Sequence, residues 1–452
     1  MPPSPPRWLH GSLLAVLCFL AISSFTGGLI LWYAVNSDGD YSHPVLNHII
    51  PAGHCACETA AVFECSTCLT CPHDLSLPSP AKKWEFDYAR DGLNVGLSRE
   101  QCGVAFPGLF EDVARAGAYW RTQGGLSTAE LDAIPLNPGM ARARIARGEL
   151  YVLAMRLHGE DHRRKIVAAL SAMHRALIAD PDRATRPEIE FVFSVEDRVD
   201  DVADISDPIW TLARTADEEA AWLMPDFGYW AWDPLHTAIG PYDQVVERAA
   251  EYDTIPWEEK RRQLVWRGKP SFAPKLRRAL LDATRDRPWA DVQPVDWHKQ
   301  SNVLRMEEHC KYMFIAHVEG RSYSASLKYR QACRSVIVAH QLQYIQHHHY
   351  LLVSSGPQQN YVEVARDFGD LAETLEPLLA DAPRAERIAD NSVRTFRERY
   401  LTAAAEACYW RALWDGYGRV WNASGPGGSR GMRYESFILQ GSEHMLDFAL
   451  EV

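Results

Sequence analysis

Basic residues are in short supply in this chain: 47 Lys and Arg stand against 59 Asp and Glu, a formal net charge of −12. Proteins that neutralise a phosphate backbone draw their affinity from clustered Lys and Arg, so nucleic acid is excluded as a partner. No long internal repeat is visible and no G-x-G-x-x-G fingerprint occurs. No His stands at paired zinc-finger spacing, which favours disulfides over zinc for the cysteines. Charge of either sign is absent from Trp8 to Asn36.

That uncharged stretch is long enough to cross a bilayer, which needs about 20 apolar residues. Arg7 precedes it and Asp38 and Asp40 follow, so the positive-inside rule puts residues 1–36 as a cytosolic tail and signal anchor and everything after them across the membrane. This is a single-pass type II arrangement in the endoplasmic reticulum or Golgi. A signal peptide cleaved near Ser23 is the rival reading. Ten cysteines are present, five of them in "CACETAAVFECSTCLTC" from Cys55 to Cys71. An oxidising lumen favours bridges over a metal there. The sequon Asn422-Ala423-Ser424 makes Asn422 a candidate glycosylation site.

Residues 37–83, rich in Pro, Ser, Cys and His, read as a stem. From Trp84 the pattern turns helical and reaches its first strand in "EIEFVFSVED", ending on Glu196 and Asp197. Residues 84–240 form a first, more helical domain. Residues 241–390 alternate strand and helix as a parallel sheet requires, and 391–452 supply a long helix packing back on the first domain, with a tail. The expected class is α/β, with two layers facing a cleft.

An acid at the carboxyl end of a strand, as at Asp197, suits the crevice of an open sheet, although a solvated loop acid fits equally well. The aromatic loop "LMPDFGYWAWDPLH" carries Trp230 and Trp232, whose flat faces suit a sugar or a packed core. Leu264 to Trp266 read as a strand that runs through Arg267 and Lys269 into a helix. That is an anion-binding arrangement or a solvated basic turn. The same geometry recurs in "KYMFIAHVEGRSYSASLKYRQACRSVIV". Here an apolar strand meets Gly320, then the hydroxyls of Ser322, Ser324 and Ser326, then a helix bearing Lys328. This elbow could hold a diphosphate or merely cap a helix. The run His347 to His349 cannot converge on one metal from a regular element and reads as a surface or loop cluster.

Taken in order, "FVFSVED", "LMPDFGYW", "VWRGKP", the Gly320 elbow with its "HCKY" and "CRSVIV" flanks, "YVEVARDFGDL" and the terminal "FRERYLTAAAEACYWRALW" resemble a glycosyltransferase family. This is the family of the animal protein O-glucosyltransferases (Rumi and KDEL-motif proteins) and the fungal capsule-associated xylosyltransferases. The resemblance implies two Rossmann-like domains of GT-B type and an inverting transfer of glucose or xylose from a UDP-sugar. The acceptor would be a hydroxyl on a glycan or protein, and no essential metal is implied. It puts the catalytic base at Asp197 and the phosphate-side turn at Arg267 and Lys269. The donor loop falls on Gly320, Arg321, Ser322, Tyr323, Ser324, Ser326 and Lys328, and Trp230 and Trp232 would wall the sugar or acceptor. The chain departs from the animal members at Ser326, where they carry Arg, and at Arg334, where they carry Gly. An inactive scaffold of the same fold, or a metal-dependent transferase using Asp197, Asp200 and Asp201, are the alternative readings.

Overall fold

A computed structural model describes residues 84–230, 232, 239–295, 302–422, 431–440 and the backbone of 447–449. The expected anchor, the stem and the five-cysteine cluster lie outside these residues. Among the described residues no helix is long and apolar enough to cross a membrane.

After a single helical turn at Tyr88–Asp91, the first lobe has two longer helices, α1 (Arg99–Ala105) and α2 (Glu111–Thr122). The Ser98 side chain and Gln101 form a reciprocal capping box that starts α1. Acidic residues Glu111 and Asp112 in the first turn of α2 and Arg121 in its last match the helix dipole. The pattern predicts no strand before Ile189, and here the structure differs. Strands β1 (Met140–Ala146) and β2 (Glu149–Arg156) form a hairpin. Its two-residue loop is Arg147-Gly148, with φ of 54° and 71°. Two positive φ angles match the twist of the flanking strands, and a non-Gly residue in the first position hides the turn from sequence inspection. Helix α3 (Glu160–Ile178) leads to β3 (Ile189–Ser194), then β4 (Ile209–Thr211) and β5 (Trp222–Leu223). β1 runs antiparallel to both β2 and β3, whereas β3, β4 and β5 are parallel. The first lobe is therefore built on a mixed sheet and not on the all-parallel sheet of an ideal Rossmann unit. Two late strands, β11 (Met432–Arg433) and β12 (Asp447–Ala449), extend its β2 edge.

The second lobe follows the expected alternation. After helix α4 (Tyr242–Glu251) come β6 (Arg261–Gly268), α5 (Pro274–Ala283) and β7 (Ala290–Pro294). Then follow β8 (Tyr312–His317), α6 (Ser326–Gln331), β9 (Val336–His340), β10 (Val362–Val364) and α7 (Leu371–Ala380). The strand order is β10-β9-β8-β6-β7 and every pairing is parallel. All six residues of β8 are buried, as a central parallel strand covered on both faces requires. This order reverses direction between β6 and β8. In an open α/β sheet that switch point, at the carboxyl ends of the strands, is where ligands bind.

Helices α8 (Ala382–Thr395) and α9 (Ala403–Gly418) carry the chain back to the first lobe. α9 packs against α1, α2 and α3, bonded to α1 through Cys102–Cys408 and to α3 by Arg175–Glu406 at 2.7 Å. A second disulfide, Cys310–Cys333, clasps the unit made by β8, its turn and α6.

Candidate active site

Between β3 of the first lobe and the switch point of the second lies a cleft of about 460 Å³. Backbone direction explains who faces it. β3 delivers Asp197 from its carboxyl end, β6 delivers Arg267 to Lys269, and β8 delivers the turn from Gly320 to Ser326.

Asp197 is partly buried and accepts no hydrogen bond from any described residue. Burial raises its carboxyl above the usual aspartate value, and Lys165 and Arg321 pull in the opposite direction. Its sequence neighbours are occupied elsewhere. Glu196 meets His162 Nε2 at 2.5 Å, Arg198 Nε bonds Asp200 at 2.7 Å, and Arg321 bonds Asp201 at 2.8 Å. The acid left bare among them is the one at the cleft.

Across the cleft stand two buried guanidiniums. Arg277, on the first turn of α5, donates from Nε to Glu319 O (3.0 Å) and from Nη1 to Lys269 O (2.7 Å). Its plane lies 5.8 Å from the Trp266 ring and 5.7 Å from that of Phe272. Its Nη2 reaches the Gly320 turn, 3.3 Å from where a Cβ on that glycine would stand. Arg330, on α6, donates Nη1 to Ala316 O, and its Nε is buried without a partner. Neither arginine pairs with a carboxylate among the described residues. Burial pulls Arg277 down to about 10, partly offset by Asp197. Arg330 comes down to about 9 by burial and by repulsion from Arg277. Two desolvated cations that repel each other are stabilised most by an anion bound between them.

One end of the same cleft is apolar, lined by Val295, Val303, Leu304, Met306 and Trp266. His309 borders it: Nδ1 is 3.0 Å from Arg305 O, and Nε2 is buried with no partner. Burial lowers this imidazole to about 4, so at neutral pH Nε2 offers a lone pair. Phe227 and Trp232, edge to face at 5.7 Å, line the wall nearer Lys165 and Asp161 of α3.

The profile of Glycosyl transferase family 90 matches residues 100–427. The chain belongs to glycosyl transferase family 90. It is similar to an O-glucosyltransferase rumi homolog of Aedes aegypti, 25% identical over 236 residues, covering 47% of this chain and 56% of that protein. Protein O-glucosyltransferase 1 of Rattus norvegicus is 23% identical over 253 residues, covering 52% of this chain and 63% of the rat protein. The human protein of the same name is 22% identical over the same span. The matched stretch is thus less than two thirds of these relatives.

Of the residues singled out by the family 90 resemblance, the cleft gathers Asp197, Arg267, Lys269, Gly320, Arg321, Tyr323, Ser324, Ser326 and Trp232. Three others do not line it. The Lys328 ammonium is buried beneath the turn, 2.7 Å from both carboxylate oxygens of Asp226, and serves as an interlobe ion pair. The Ser322 hydroxyl is buried behind the turn without a partner. Trp230 is on the surface, 38% exposed, with the Arg175 guanidinium 4.9 Å above its ring. Arg267 borders the cleft with its guanidinium committed: it donates to Asn302 O (2.9 Å), Trp266 O (3.0 Å), Asp291 O (2.6 Å) and the Asp291 carboxylate (2.7 Å). Besides Lys269, the cleft cations without an acidic partner among the described residues are Arg277 and Arg330, which the sequence motifs do not single out.

Asn422 is exposed on a two-residue strand paired with Leu126–Ser127, and its Nδ2 donates to Gly124 O at 3.2 Å. The rest of its sequon lies outside the described residues. The run His347 to His349 is a loop, as expected, but His347 and His348 are buried in the fold rather than displayed on its surface. Among the described residues no group of three or more His, Cys, Asp or Glu could hold a metal.

Proposed function

We propose that the cleft binds a UDP-sugar and passes its sugar, with inversion, to an acceptor hydroxyl deprotonated by Asp197. The observation that carries this reading is one bare, partly buried carboxylate facing two buried arginines that lack acidic partners, at the switch point of a parallel sheet. As the acceptor oxygen bonds to the anomeric carbon, its proton passes to Asp197. The bond from that carbon to the phosphate oxygen breaks, and UDP leaves with the electron pair. Arg277 and Arg330 stabilise the charge that grows on the leaving diphosphate, with Lys269 and the Ser324 and Ser326 hydroxyls beside them. Cationic side chains thereby take the role that a divalent ion fills elsewhere, and transfer should persist in chelator.

The apolar end suits the base. A neutral His309 Nε2 accepts from the N3–H of uracil, whereas the N3 of cytosine is itself an acceptor and would face that lone pair. Glucose is the favoured sugar because the relatives are named O-glucosyltransferases, with xylose next. The acceptor is a glycan or protein hydroxyl entering past Trp232. Two disulfides among the described residues and the uncharged stretch from Trp8 to Asn36 support a membrane-anchored enzyme of the endoplasmic reticulum or Golgi.

The test is Asp197→Asn against Arg277→Gln in calorimetry with UDP and in transfer from UDP-sugars. Asp197→Asn should abolish transfer and leave UDP affinity within a few-fold, with no loss of thermal midpoint because a desolvated charge is removed. Arg277→Gln should weaken UDP at least tenfold, about 1.4 kcal/mol. Turnover retained by the first variant removes Asp197 from the chemistry. Absence of both UDP-sugar hydrolysis and transfer in the unmodified protein, with or without UDP binding, indicates an inactive scaffold.

A further inference from the structure

A second cavity, of about 360 Å³, lies between α1, α2 and α9 and shares no lining residue with the interlobe cleft. Five arginines line it, Arg99, Arg121, Arg186, Arg411 and Arg419, with Asp415 as the single acid. Asp415 is shared between Arg99 at 3.0 Å and Arg186 at 2.6 Å. Behind them Asp180 receives Arg186 (3.1 Å to Oδ1) and lies 3.7 Å from Arg411. Three guanidiniums therefore divide two carboxylates. Arg121 and Arg419, at the rim, have no carboxylate partner among the described residues. In a chain of net charge −12 this is a local surplus of positive charge around a concave site.

The floor is small and apolar, made by Val113, Ala114 and Gly117 of α2 and by Ala412 and Gly416 of α9. The two glycines differ in an informative way. A Cβ on Gly416 would stand 2.3 Å from Val113 Cγ1, so helix packing requires that glycine. A Cβ on Gly117 would meet nothing nearer than 3.5 Å, and its φ is not in the left-handed region. A mid-helix glycine is destabilising relative to alanine, and neither packing nor backbone geometry accounts for this one. What Gly117 does provide is space: the nearest atom to its missing side chain is Arg121 Nη1, a rim guanidinium lying across it.

We infer that this cavity is an anion site outside the reaction cleft, which takes a phosphate or sulfate monoester. The dianionic head would sit among Arg99, Arg121 and Arg419, with its organic part on the Gly117 floor. Planar guanidiniums match the oxygens of such esters in pairs. The cavity volume falls at the lower end of the range for small-ligand pockets, roughly 300–1,000 Å³.

The experiment is hydrogen exchange of the full chain at constant ionic strength, comparing chloride, inorganic phosphate, inorganic sulfate and glucose 6-phosphate. Peptides spanning 99–122 and 403–419 should be protected by the phosphate and sulfate probes and not by chloride. Glucose 6-phosphate outdoing both inorganic ions would assign the floor to an ester, and equal effects would assign the site to the free ion. Arg121→Gln/Arg419→Gln, both at exposed positions, should weaken the effect at least tenfold and leave UDP affinity and transfer unchanged. Gly117→Leu, which keeps every charge and fills the floor, should remove the advantage of glucose 6-phosphate over the inorganic ions. Protection by chloride to the same degree, or protection that survives the double arginine variant, overturns the site.

Discussion

Lys165 and Asp197 meet in the cleft from different elements, α3 and the end of β3. Burial raises the Asp197 carboxyl, and the nearby ammonium holds it down. A base acts only when ionised, so kcat/KM should fall as pH drops through a value above that of an ordinary aspartate. Lys165→Met removes the offsetting charge and should move that acid limb to higher pH, as a pH–rate profile would register. Ser326 and Arg330 permit a second test at the same scale. They stand four residues apart, on one face of α6, and both line the cleft. The family resemblance implies an Arg of the animal members at the position of Ser326, and in this chain Arg330 one turn later supplies a guanidinium. Arg330→Leu should weaken UDP at least tenfold, and Ser326→Arg/Arg330→Leu should recover most of it in calorimetry. Individual residues were unevenly legible. An acid closing an apolar run announces itself, as Asp197 does. Arg277 reads as one of a solvated Arg277-Arg278 pair, and its one clue is the three-residue spacing to Leu280, which places both on the buried face of α5.

At the scale of elements, the unit of β8, turn and α6 was readable because an apolar run, a glycine and a helix start follow in order. The role of its lysine was not. Lys328 looks like a phosphate ligand in sequence, and only the fold brings Asp226 to it from the other lobe. A buried pair broken on one side strands an uncompensated charge, at a cost of about 3–5 kcal/mol. Asp226→Asn should therefore lower stability by about that amount in denaturant titration. Asp226→Leu/Lys328→Met, which removes both charges, should cost distinctly less than the single change. The hairpin of β1 and β2 escaped sequence inspection for a different reason. Its Arg-Gly loop lacks the usual Asn-Gly or Asp-Gly signal, and its alternation is blurred by alanines.

Across the whole molecule, the lobes are stitched together by Lys328–Asp226, by Arg321–Asp201, and by the Tyr350 hydroxyl on Asp112 at 2.8 Å. The loop of His347 to His349 is packed into this region, with His347 against the Tyr409 ring of α9 at 4.7 Å. Burial depresses all three imidazoles, His347 and His349 to about 3 and His348 well below its ordinary value. Folded-state values below the unfolded one mean that unfolding takes up protons in this range. The stability they contribute is complete above about pH 6.5 and is lost as pH falls toward about 3. Denaturant midpoints at successive pH values should therefore decline through that window, and His347→Phe should flatten the slope. The α/β class and the parallel second lobe were readable from strand–helix alternation. The mixed first sheet was not, because its order depends on pairings between distant segments, such as β2 with β11 and β12.

Those two pairings carry a practical consequence. Among the described residues, β2 is bordered on its outer side only by the short strands of residues 432–433 and 447–449, which bond to Tyr151–Val152 and to Ala154–Arg156. A recombinant fragment trimmed after Gly418 would leave that row of amides and carbonyls open to water along an eight-residue strand. Bare borders of this kind recruit neighbouring chains, so such a fragment would be prone to self-association through β2 even with its cleft intact.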